Sequence, residues 1–216
     1  MSDSRATSCG RIVLSIVSSL MLVVPLVLGS NARAADDSRV FTIAGGGFTL
    51  EAPADWQRVE PKSGIVETEF SVPGPGAADA PGRMTVMGAG GSVQANIDRW
   101  YGQFTQPDGS ATKDRGTTKK LKIAGCDVTL VDVGGTYKDM PGGPFAGGAA
   151  VDRPEYRMLA AIVETPEGGN QFLKFYGPSA TVTPHVDGFR QMVEGMVAEG
   201  TGAKGTGAEG KAAAGR

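Results

Sequence analysis

Histidine occurs once and cysteine twice in this 216-residue chain. The sequence is therefore poor in the side chains that most often ligate zinc, which needs three or four of them converging. The shortage also weighs against nucleophilic catalysis. A serine triad would have to recruit His185, no Gly-x-Ser-x-Gly elbow is present, and a Cys126–His185 pair would need two distant segments to meet. No calcium loop of the D-x-[DN]-x-[DN]-G type occurs, and a site of carboxylates alone stays open. Basic excess is missing too: 21 Lys and Arg stand against 23 Asp and Glu, a formal charge of −2, without the positive balance of a nucleic-acid binder. Aromatic residues make up 6%. They do not interleave with Lys113, Arg115, Lys119, Lys120 and Lys122, so that basic cluster reads as a solvated strand edge on which lysines discourage strand addition.

Glycine is abundant, with 33 residues or about twice the ordinary share, but it follows no G-X-Y period, and a collagen-like chain is excluded. Residues 1–34 have the order of a secretory signal. Arg5 and Arg11 precede an apolar stretch from Ile12 to Leu28, and Ala32-Arg33-Ala34 offers small residues where a signal peptidase reads. Cleavage is expected before Ala35, the alternative being an uncleaved anchor. Cleavage would remove three arginines and one aspartate, taking the formal charge from −2 to −4. It would also remove Cys9 and leave Cys126 without an internal partner. Cys126 shares a strand face with Val128 and Leu130, and burial as a small hydrophobe is expected there. The segment 198–216 has no apolar side chain larger than alanine and is expected to be a flexible tail, so a single domain should occupy 40–197.

Within that domain, strand-like runs are read at Val40–Ala44, Phe48–Ala52, Trp56–Glu60, Ile65–Val72 and Arg83–Met87. A hairpin is expected across 118–138, turning at Ala124-Gly125, and a second one joins Tyr156–Thr165 to Asn170–Tyr176. Both hairpins carry apolar residues on both faces, as strands covered on both sides do. Glu67 and Glu69 alternate on one face of their strand and read as an exposed edge pair. Met140–Arg153, rich in Gly and Pro, is expected to be a loop.

Ser92 caps a helix with Val93, Ile97, Trp100 and Phe104 on one stripe, ended by Pro107-Asp108-Gly109. A second helix starts at Thr183-Pro184, with Val186, Phe189, Val193 and Met196 inward and His185 exposed in its first turn. Gly88-Ala89-Gly90-Gly91-Ser92 lies between a strand and a helix, where backbone N–H groups favour anions. It lacks the third glycine of the dinucleotide fingerprint and the lysine of the P-loop, and reads as a tight turn with a cap.

These elements give an α+β fold, a central antiparallel sheet with helices packed on both faces. The strand beginning Gly47-Phe48-Thr49-Leu50-Glu51-Ala52-Pro53-Ala54-Asp55-Trp56, the segment Gly90–Trp100 and Lys174-Phe175-Tyr176-Gly177-Pro178 resemble secreted bacterial proteins of the PsbP-like fold. The resemblance covers about 45–197 and implies a PsbP-like α/β/α sandwich in a secreted, uncharacterised bacterial family. No functional residue of the photosystem or Ran-binding branches of that fold can be matched here.

A polar stripe of Ser92, Asn96, Arg99 and Gln103 runs beside the apolar stripe of the first helix. Asn96, Arg99 and Gln103, with Tyr137 and Tyr176 as aromatic contacts, are the candidate partner-binding residues. The competing structural role is to satisfy carbonyls of the Gly-rich segment 140–150. The reading is of a secreted or periplasmic non-catalytic binding or accessory module. It has no catalytic residue, metal or cofactor to name, its partner is a protein or small ligand rather than nucleic acid, and no stable membrane anchor remains after cleavage. The alternative is an enzyme or metal-binding protein whose site uses dispersed carboxylates, tyrosines and Arg99.

Overall fold

The computed structural model describes residues 38–76, 78–140, 149–167 and 169–200. The expectations for 1–34, for 141–148 and for 201–216 lie outside the described residues. Eleven strands form two antiparallel sheets among those described. The smaller sheet has the order β1 (Val40–Ile43), β2 (Phe48–Glu51) and β11 (Val197–Ala198). The central sheet runs β3 (Gln57–Val59), β4 (Thr68–Val72), β5 (Gly82–Ala89), β10 (Gly169–Pro178), β9 (Val151–Thr165), β8 (Cys126–Asp139) and β6 (Phe104–Thr105). The strand β7 (Thr117–Ile123) pairs beside β6 on β8. Two nine-residue helices, α1 (Val93–Tyr101) and α3 (Val186–Glu194), and a four-residue helix, α2 (Ser179–Val182), complete it.

The double-sided strands work as their alternation requires. On β9, Leu159, Ala161 and Val163 belong to one buried cluster while Met158, Ala160 and Ile162 belong to another. The first cluster gathers Phe41, Leu50, Trp56, Phe70, Val86 and Phe175 with Phe189, Met192 and Val193 of α3. The second gathers Val131, Val133, Tyr137 and Phe172 with Ile97 and Trp100 of α1. Cys126 is buried in the first beside Val128 and Leu130, and burial holds its thiol above the ordinary value.

Several expectations need correction. The first helix stops at Tyr101, with Gly102 as its C-cap, rather than at Pro107, because Phe104 is recruited into β6 opposite Tyr137. Strand β9 starts at Val151, five residues before Tyr156, since Val151, Asp152 and Arg153 pair with Asp139, Lys138 and Tyr137. Ile65–Glu67 is not strand, and Ile65 is 69% exposed. Pairing reaches Ala198, one residue past 197, and Glu199 is tied to β2 through its N–H on the Gly47 carbonyl and its carboxylate on Thr49.

Two backbone features fix the β7–β8–β9 region. Ala124 and Gly125 have φ of 48° and 83°, the paired left-handed residues that a two-residue hairpin turn needs. Where Gly135 pairs with Tyr156 but Tyr137 pairs with Arg153, β9 carries one extra residue, a bulge in which Glu155 takes φ 56°.

Candidate functional site

Strand β10 sits in the middle of the central sheet, and its sequence Phe172-Leu173-Lys174-Phe175-Tyr176 places one charge within an apolar run. Period-2 alternation puts Phe172, Lys174 and Tyr176 on the face that α1 covers, because Phe172 packs with Trp100 while Leu173 and Phe175 join the other cluster. Lys174 is flanked across the sheet by Thr85 and Ala160, both short enough to leave its stem room. Its ammonium lies 4.8 Å from the ring centre of Tyr176 and 5.3 Å from that of Tyr137, a position attractive to a cation. The hydrogen bond it donates goes to Gln103 Oε1 at 2.8 Å, just beyond the end of α1. Burial, reinforced by the positive charges of Arg83 and Arg99 and opposed by Asp139, pushes the Lys174 ammonium down to about 7.

The sequence candidates fall around this lysine. Gln103 holds it directly, and Tyr137 and Tyr176 wall it, their rings 5.3 Å apart. Tyr137 also stacks on Tyr156 at 6.0 Å with planes 5° apart, and burial raises its phenol well above the ordinary value. Arg99, exposed on α1, donates to Asn96 Oδ1. Asn96 is buried and donates from Nδ2 to the carbonyls of Ser92 at 2.9 Å and Gly90 at 3.3 Å. The stripe therefore satisfies carbonyls, but those of the helix's own entry turn rather than of segment 140–150. Asn96 is a structural clamp, Gln103 is the member of the stripe that holds the lysine, and Arg99 is the member whose charge acts on it.

Glu69 and Arg83 were not among the sequence candidates. Glu69, read as an exposed edge residue, is 2% exposed because β4 lies inside the sheet between β3 and β5. It accepts from Arg83 Nε at 2.8 Å and Nη2 at 2.7 Å, and from the Lys62 N–H at 3.3 Å. These bonds, Arg83 first, hold its carboxyl below the ordinary range, and they raise the Arg83 guanidinium in return. Arg83 Nη1 then donates to the Tyr176 hydroxyl at 3.0 Å, linking the ion pair to the lysine's aromatic wall. On the far side Arg153 Nε lies 3.3 Å from Asp139 Oδ2. The available signal in the sequence was Lys174 itself, a lone cation between phenylalanines.

His185 is not exposed as expected. Its side chain is 15% exposed, it accepts from Trp56 Nε1 at 3.3 Å on Nδ1, and its Nε2 faces the Pro73 carbonyl at 3.1 Å. With Nδ1 accepting, the ring proton belongs on Nε2. The Gly88–Ser92 turn is closed by side-chain amides. Asn96 reaches Gly90, Asn170 donates to the Gly91 carbonyl at 2.9 Å, and Ser92 Oγ accepts the Ala95 N–H at 3.2 Å. Two hollows lie elsewhere. One is a crevice of about 190 Å³ between β7–β9 and α3, lined by Leu130, Asp132, Leu159, Phe189 and Arg190. The other is an open polar hollow of about 700 Å³ along Arg58–Thr68. None of the five candidate residues lines either of these two. No three His, Cys, Asp or Glu converge as a metal site among the described residues.

No family model matches the chain, and no curated protein matches its sequence. In structure it is similar to cyanobacterial PsbP from Synechocystis sp. PCC 6803, at 13% identity and a TM-score of 0.44 over 79% of this chain and 98% of that one. It is also similar to LpqN of Mycobacterium tuberculosis, described as involved in cell envelope biogenesis, at 13% identity and a TM-score of 0.43 over 69% of this chain and 82% of that one. PA94 of Pseudomonas aeruginosa, a protein of unknown function, is similar at 12% identity and a TM-score of 0.39 over 72% and 92%. The fold resemblance read in the sequence and one of these structures bear the same name, PsbP; a likeness this distant carries no argument about function.

Proposed function

We propose that the chain is an exported, non-catalytic binding or accessory module, and that its recognition surface is the Lys174 cluster at the end of α1. The observation that carries this reading is the placement of an ammonium in the central strand, between two tyrosine rings and against Gln103. A sheet interior gains nothing in stability from a lysine held by a neutral amide, since desolvating the charge costs more than that one hydrogen bond returns. The layering that accompanies the reading is a PsbP-like sandwich, supported by the division of α1 and α3 residues between two buried clusters. Export rests on the residue order of 1–34. Among the described residues no helix is long and apolar enough to cross a membrane.

Amide-resolved NMR titration with a panel of small acids, sugars, nucleotides and peptides tests the reading. Saturable shifts confined to Arg99–Phe104, Tyr137–Asp139 and Lys174–Tyr176 support it, whereas shifts only along the α3 crevice would relocate the site. Intact mass of the exported protein beginning at Ala35 supports the cleavage, and retention of Met1 through Leu28 in the membrane fraction overturns it. A second reading, an enzyme, is favoured by one observation. A lysine held at about 7 is about half in the neutral amine form at neutral pH, the form that imine chemistry requires. Borohydride reduction in the presence of small aldehydes would then leave a stable mass increase on Lys174.

A further inference from the structure

Charges around Lys174 can be matched one against another. Arg83 is neutralised by the two-pronged contact with buried Glu69, and Arg153 by Asp139. Lys174 and Arg99 are different. Each is held by the oxygen of a neutral amide, Gln103 and Asn96, and neither has an ion-pair partner among the described residues. The two amides sit seven residues apart, and Gln103, which holds the lysine, follows Arg99 by four just past the end of α1, so both cations gather at that end of the helix. The positive charge of Arg99 is among those that lower the Lys174 ammonium's hold on its proton, after burial and Arg83. Asn96 is pinned by two backbone carbonyls, so the guanidinium leans on a fixed support.

Resting on the recognition surface just proposed, we infer that this surface binds a small oxyanion, a carboxylate or phosphate group bridging the Lys174 ammonium and the Arg99 guanidinium. Three features fit that ligand. The ammonium has three donor protons, of which Gln103 takes one. The guanidinium fork matches a planar oxyanion in two-pronged fashion. The Tyr176 hydroxyl accepts from Arg83 and keeps its own proton to donate. The body attached to the oxyanion would lie along the Tyr176 ring, which is half-buried and half open.

Binding must couple to protonation. An oxyanion favours the ammonium form of Lys174, so affinity should be full at pH 6 and fall as the pH rises above about 7. The charged and titratable groups facing the lysine are Arg83 from β5, Tyr137 and Asp139 from β8, Tyr176 on β10 and Arg99 from α1. Of these, Lys174 is the group held near 7.

The test is NMR titration of the purified chain with sodium acetate and with inorganic phosphate, at pH 6 and pH 9, with ionic strength held constant by chloride. Supporting results are saturable shifts at Gln103, Lys174 and Tyr176, weaker by ~10-fold or more at pH 9, and the tighter of the two probes identifies which oxyanion source is preferred. Arg99→Gln, an exposed change that leaves the core intact, should weaken binding by ~10-fold or more, and Lys174→Met should abolish it at both pH values. Shifts that track ionic strength without saturating, or binding unchanged by both substitutions, overturn the inference. Saturation of the same residues by a neutral probe instead would overturn the oxyanion while leaving the recognition surface standing. Silence of these residues to every probe would overturn both.

Discussion

The two faces of the central sheet are built from alternate residues of the same strands and serve different ends. The face toward Phe41, Trp56 and α3 is closed by hydrocarbon and aromatic side chains, with Phe70, Val86, Leu173 and Phe175 fully buried. The face toward α1 begins the same way, with Ile97, Trp100, Ile162 and Phe172, but beyond the end of the helix it turns into Lys174, Tyr137, Tyr176 and the Glu69–Arg83 pair. A helix of nine residues spans only ~14 Å and cannot cover eight strands. What it leaves uncovered is where charge is tolerated. One face therefore holds the molecule together, and the other gives up some stability to present polar groups.

Substitutions on each face should separate these roles. The largest effect is expected for Phe70→Ala, which empties a site in contact with Phe41 and Trp56 and should cost ~3–5 kcal/mol in chemical denaturation. A loss under 1 kcal/mol would break the comparison. On the other face Glu69→Gln should cost about 2 kcal/mol at neutral pH, less than a fully buried pair because Arg83 is a third exposed. The carboxyl of Glu69 is held low in the native state, so its contribution is complete above the unfolded value of ~4.3 and is lost as pH falls through the lowered native value. The variant's stability should accordingly fall less steeply in acid.

Lys174→Met should have the opposite sign. The native state disfavours the ammonium, so between about 7 and 10.5 the unfolded chain holds the extra proton and wild-type stability rises with pH. Thermal midpoints across that range should rise for the wild type and stay level for the variant, which is the more stable protein at pH 7. Asn96→Ala should cost ~1 kcal/mol by freeing two carbonyls at the α1 entry, while Arg99→Ala should stay within ~0.5 kcal/mol. Equal losses for the two would mean that Arg99 is structural as well.

Much of the apolar face could be read directly from the sequence. The inward stripes of α1 and α3 follow from 3- and 4-residue spacing, and both hairpins follow from two-sided apolar runs meeting at Ala124-Gly125 and Pro166–Gly169. Burial of Cys126 was legible for the same reason. The polar face resisted because its logic is cross-strand. Glu69 looks solvated until register sets it opposite Thr85, two residues from Arg83, and Lys174 looks like an ordinary strand lysine until β10 is known to be central. His185 misled in the same way, since its partners Trp56 and Pro73 lie 129 and 112 residues earlier. The sequence marks Gln103 as the last residue of the polar stripe, and Tyr137 and Tyr176 as aromatic contacts of the surface that the stripe and the Gly-rich segment would frame. Their grouping around Lys174 depends on pairings between β6, β8, β9 and β10 that no local pattern encodes.

The single extra residue in β9 acts as a phase shifter. Cross-strand partners share a face, so opposing Tyr137 with Arg153 rather than with Pro154 turns Arg153 toward the α1 side, where Asp139 receives it. Were the pairing to run on without the bulge, Pro154 would stand opposite Tyr137 and Arg153 would turn to the opposite side of the sheet. Asp139 would then be left as an uncompensated anion beside Lys174, satisfying from within the charge that an incoming ligand would otherwise supply. The residue count of the strand next to the lysine's own thus sets whether the charge of Asp139 is spent on Arg153 or left to face Lys174.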